Sequence, residues 1–123
     1  MQDTPDPKAI LAAVIAFLRD RALPELGGRT AFDLRVSINA LELVARQWAL
    51  TPASDAAEAA RLAALLGEDG PLEVLNARLA DRIKAGELGP DSPGLIDHLK
   101  ATTREKLAVD QPKYAAFRRI NEK

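Results

Sequence analysis

The sequence predicts an all-α protein: a compact bundle of about five helices around a central helix, plus a short C-terminal helical tail. Three observations lead there. Ala (23) and Leu (18) make up a third of the 123 residues, while Val, Ile and Thr together number only 16. Ala and Leu lose little freedom in a helix, whereas β-branched side chains lose χ1 freedom against the preceding turn. Apolar residues recur at three-and-four spacing along most of the chain, without the strict alternation of a half-buried strand. Pro and Gly then cut the sequence into pieces of helix length. A chain of this size fits a single domain, residues 1–123, able to bury about two-thirds of the surface it exposes when unfolded.

The first helix begins at Asp6, whose carboxylate suits an N-cap, followed by Pro7 at a position where a missing N–H costs nothing. Ile10, Leu11, Val14, Phe17 and Leu18 form its apolar stripe, and Pro24 stops it near Leu23. Gly27-Gly28 reads as a flexible joint. The second helix, Thr30 to Leu50, carries two apolar sides: Phe32, Val36, Leu43 and Leu50 on one, Leu34, Leu41, Val44, Ala45 and Trp48 on the other. A helix apolar on two sides is usually sandwiched between neighbours, so this one is expected at the centre. Thr51-Pro52 is expected to break the chain before an alanine-rich third helix, Ser54 to Leu66, capped by Gly67.

Helix four follows Asp69-Gly70-Pro71, with Leu72, Leu75, Leu79 and Ile83 as a narrow stripe and Gly86 as its end. Ser92 and Pro93 start helix five, which runs to about Val109 with Leu95, Ile96, Leu99, Thr103 and Leu107 expected inward. Residues 112–123 form an amphipathic tail with Tyr114, Phe117 and Ile120 on one side.

Composition narrows the function classes. The absence of cysteine excludes a disulfide scaffold, a thiolate nucleophile and Cys-ligated metal, and a single histidine excludes a multi-His site. Seventeen basic and eighteen acidic residues are interspersed, giving a net charge of −1 and no basic footprint for nucleic acid. The longest apolar run, Ala9 to Leu18, is about half a membrane span. Without a basic segment ahead of it, a signal peptide is not expected either, and the expected setting is cytoplasmic. No catalytic residue, metal or cofactor is predicted, and an enzyme is the less favoured reading.

The strongest polar constellation is Arg35, Asn39, Glu42 and Arg46 on the second helix, spaced four, three and four along one flank. One reading is a polar pocket in which an arginine binds a carboxylate or phosphate, making the chain a binder of small anionic acyl or phosphorylated metabolites. The other is an Asn39 tied to a neighbouring backbone beside an ordinary Glu42–Arg46 surface pair. His98 reads as an exposed surface histidine without catalytic partners. In the tail, Tyr114, Phe117, Arg118 and Arg119 could dock into a partner, or the tail could fold back over the chain's own bundle. The alanine-rich third helix makes a homodimer possible.

The run Ala31-Phe32-x-x-Arg35-Val36-x-x-Asn39-Ala40-Leu41, then Arg82-Ile83-x-Ala85-Gly86, then Lys106-Leu107-Ala108-x-Asp110-x-Pro112-x-Tyr114 resembles a bacterial family of uncharacterised small helical domains. Its members are found beside or fused to aminoglycoside-phosphotransferase-like kinases, often near acyl-CoA dehydrogenases. The resemblance implies an accessory or interaction domain whose partner is such a kinase-like phosphotransferase or acyl-CoA-metabolising enzyme. It marks Phe32, Arg35, Asn39, Lys106, Asp110, Pro112 and Tyr114 as positions of the family pattern. The chain is too short to hold the kinase itself and lacks its loop motifs.

Overall fold

A computed structural model describes residues 4–122. Among the described residues there are five α-helices and no strand: α1 (Pro7–Phe17), α2 (Gly28–Leu66), α3 (Leu72–Lys84), α4 (Leu95–Asp110) and α5 (Ala115–Asn121). The all-α expectation is met, but the helices are cut differently. The second and third expected helices are one helix of 39 residues, with Pro52 in its interior. A proline there removes one backbone hydrogen bond and crowds the carbonyl four residues back, at a cost of about 3 kcal/mol. The alanine-rich flank after it, with the highest helix propensity of any residue, carries the helix through.

The chain divides into two compact units, Met1–Ala49 and Leu50–Lys123. In the first unit, Asp6 accepts the Lys8 N–H and Pro7 opens α1, as the sequence indicated. The helix then widens into a π turn, Leu18–Ala22, and tightens into a 3₁₀ turn, Leu23–Glu25. Pro24 has no N–H to offer the carbonyl four residues back, and the altered turns end the helix there. The unit's buried apolar side chains are Ile15 on α1 and Ala31 and Ile38, two turns apart on α2. An Arg19–Glu42 ion pair ties the π turn to α2.

The second unit holds a leucine core: Leu62 and Leu66 of α2, Leu75 and Leu79 of α3, and Leu95 of α4, with Leu72 and Leu88 packed against it. Gly67, in the left-handed conformation, ends α2 and donates its N–H to the Ala63 carbonyl. Arg82 of α3 adds a second cap by donating to the Leu66 carbonyl at 3.1 Å. Val109 and Phe117 are buried at the α4 and α5 end of the chain.

Two expectations about inward faces are corrected. On α4, Ile96, Leu99 and Thr103 are exposed and Leu107 is half-buried; the inward face is Leu95, His98 and Val109, flanked by half-buried Thr102 and Glu105. On that face Leu95 joins the leucine core, and His98, Thr102 and Glu105 meet Arg61 of α2. On α2, the Phe32/Val36 side is open, with Phe32 54% and Val36 52% exposed, so that side is not sandwiched.

Candidate functional site

The polar centre of the second unit starts from a glycine. Gly94 precedes α4 with φ +86°, a left-handed conformation, and a Cβ there would stand 3.4 Å from the Leu65 side chain. Glycine thus serves both the turn and the close approach of α4 to α2. One turn from this contact along each helix, Arg61 of α2 meets His98 of α4.

The Arg61 guanidinium is held on every side. Its Nε donates to His98 Nδ1 at 3.1 Å, Nη1 donates to Glu105 Oε1 at 2.9 Å, and Nη2 donates to Glu105 Oε2 at 2.9 Å and to Thr102 Oγ1 at 3.3 Å. The paired bonds to Glu105 are the bidentate arrangement that makes arginine–carboxylate pairs geometrically specific. They hold the Arg61 pKa above its ordinary value; burial opposes this, while the charges of Glu105 and Glu58 reinforce it. His98 is only 2% exposed, a correction to the surface histidine expected. Burial lowers its pKa, and the neighbouring Arg61 charge lowers it further. A neutral imidazole with Nδ1 accepting carries its proton on Nε2.

This geometry makes a clasp between two helices. Neutral His98 uses its Nδ1 lone pair on Arg61, so that nitrogen is not free to take a proton from a substrate. Among the described residues no group of three or more acidic or histidine side chains stands together as metal ligands. Nor is any helix among them long and apolar enough to cross a membrane.

The residues singled out from sequence are distributed differently. Arg35 and Asn39 are exposed on α2, and Asn39 stands in line with Phe32 and Val36 on a side that is itself open, so it is not a buried polar group. Glu42 is half-buried and engaged by Arg19, a partner from another segment that spacing along α2 could not reveal. Arg46 is half-buried. In the tail, Phe117 points into the fold, while Tyr114, Arg118 and Arg119 remain exposed, so the four do not present one surface. Arg61, Thr102 and Glu105 were missed. The one hint was a lone arginine within an alanine-and-leucine run, since helical spacing says nothing about a histidine 37 residues away.

Two further apolar surfaces among the described residues are concave. On α1, Pro5, Ala9, Ile10, Ala13, Val14 and Phe17 line a depression of about 400 Å³. Between α4 and α5 lies a groove of about 500 Å³, with Ile96, Leu99, Leu107 and Ile120 as its apolar surface and Lys100 and Arg104 beside them.

A family model described as a domain of unknown function, DUF6285, matches residues 24–114, which covers the length of α2, α3 and α4. No curated protein and no solved structure matches the chain.

Proposed function

The chain belongs to the DUF6285 family, and from that premise we propose that it is a noncatalytic accessory domain that holds a partner protein. The partner is a kinase-like phosphotransferase or an acyl-CoA-metabolising enzyme, the classes the sequence resemblance implies. The observation that carries the reading is the open side of α2. Phe32 and Val36 stand one turn apart and are each more than half exposed, with Asn39 and half-buried Leu43 continuing the line at 4-3-4 spacing. Scattered single apolar residues on a surface are ordinary, whereas contiguous apolar surface is what a contact site offers. Arg35 and Asn39 supply polar groups along that side, and with Phe32 they are the positions of the family pattern on this helix. The closed hydrogen bonding around His98 fits a structural clasp better than a reaction centre.

The test is affinity capture by the tagged full chain from its native cells, with quantitative mass spectrometry, against a Phe32→Asp/Val36→Asp variant. The expected result is recovery of a phosphotransferase-like protein or an acyl-CoA dehydrogenase, reduced at least tenfold by the variant while circular dichroism is unchanged. Failure to recover either class with the natural chain, or equal recovery by the variant, overturns the reading.

A further inference from the structure

The groove between α4 and α5 lies wholly within the second unit and shares no lining residue with the Phe32 and Val36 side of α2. Its α4 wall is Ile96, Leu99, Thr103 and Leu107, and α5 contributes Ile120. From Ile96 to Leu107 the wall runs about 16 Å, three helical turns. Ile96, Leu99 and Ile120 are each about 40% exposed, too much apolar surface for a wall already packed by the fold. Thr103 spends its hydroxyl on the Leu99 carbonyl at 2.8 Å, so this hydrogen bond is already made within the helix.

The charges beside this wall decide what fits it. Lys100 and Arg104 are four residues apart on one helix, a like-charge pair that disfavours the helix. Among the described residues neither forms an ion pair, although four other pairs form. Two cations one turn apart, beside an apolar trough open along its length, match two carboxylates one turn apart beside an apolar helix face.

We propose that this groove receives an acidic amphipathic helix of a partner protein, apolar side chains against Ile96, Leu99, Leu107 and Ile120 and carboxylates against Lys100 and Arg104. The proposal rests on the reading that the chain works by protein contact, and adds a second surface of different chemistry to it. Helix-in-groove recognition uses anchors at i, i+3 or i+4, and i+7, and three turns of wall accommodate such a set. The surface is small, so binding is weak and falls with salt.

The test is selection from a displayed library of 20-residue amphipathic helices whose flank positions vary among Glu, Gln and Lys, on the full chain and on a Lys100→Glu/Arg104→Glu variant. The expected result is enrichment of Glu flanks on the natural chain and of Lys flanks on the variant. A selected peptide binds at least tenfold more weakly to a Leu99→Asp variant, and its amide chemical-shift changes fall on α4 and α5. No enrichment, or flanks indifferent to the charge reversal, overturns the proposal. So does sodium dodecanoate shifting the same amides while no helix is selected, which would make the groove an amphiphile site. Capture through the Phe32/Val36 side is measured separately, so either idea can fail while the other stands.

Discussion

Protonating His98 removes the acceptor for the Arg61 Nε–H and places a second positive charge beside the guanidinium, so the fold holds the imidazole neutral. The groups that face it are Arg61 and Glu58 from α2 and Glu105 from its own helix. Burial and Arg61 lower its pKa against the ordinary 6.5, with the two glutamates opposing. Between the lowered native value and the unfolded value the unfolded chain binds more protons, so stability rises with pH across that window. The stabilisation is therefore fully present above about pH 6.5 and is lost as pH falls through the native pKa. Urea unfolding followed from pH 8 to pH 5 should show this decline in the natural chain. A His98→Asn variant, which cannot titrate there, should show a flatter profile; parallel profiles would mean that His98 carries none of the dependence. The histidine was legible as a single residue but not as a buried one. Its partner lies 37 residues away, and wheel reasoning compares positions within one helix only.

At the scale of elements, α2 and α4 show what local signals settle and what they leave open. The Asp6-Pro7 start, the Gly67 cap and the stop at Gly86 stand where the sequence placed them, because each acts through backbone geometry within a few residues. The break at Thr51-Pro52 does not occur, since a proline only taxes a helix and the flanks decide whether the cost is met. Replacing Pro52 by alanine should accordingly raise stability, by about 1–3 kcal/mol in chemical denaturation, through the restored N–H and higher propensity. A loss of stability would show that Pro52 serves the fold in another way. Gly94 is the opposite case: Gly94→Ala meets both a φ of +86° and the Leu65 side chain, and should cost about 1–2 kcal/mol. Gly27→Ala is the control, because a Cβ there meets nothing within 4 Å; it should stay within about 1 kcal/mol of neutral. The inward face of α4 was unreadable for a related reason. Ile96, Leu99 and Leu107 make an apolar stripe as regular as the buried one, and the polar partner of the buried side, Arg61, lies far away in sequence.

For the molecule as a whole, the division into two units falls between Ala49 and Leu50, just before the Thr51-Pro52 signal, although α2 itself runs through it unbroken. The two differ in what they bury. Among the described residues, the second encloses seven apolar side chains, including fully buried Leu62, and the polar clasp; the first encloses Ile15, Ala31 and Ile38 while leaving Phe17, Phe32 and Val36 more than half exposed. Opening a region costs roughly in proportion to the contacts it breaks, so protection from hydrogen exchange should be uneven. Amides of α2 near Leu62, of α3 near Leu75 and Leu79, and of α4 near His98 should exchange slowest. Those of α1 and of α2 before Ala49 should exchange at least tenfold faster. If the open side of α2 is where a partner sits, adding that partner must stabilise the state it binds and slow exchange chiefly in the first unit. Uniform protection in the free chain would mean that the first unit draws stability from contacts other than its three buried side chains. Slowing confined to α4 and α5 on adding the partner would instead move the principal contact to the groove beside Lys100 and Arg104.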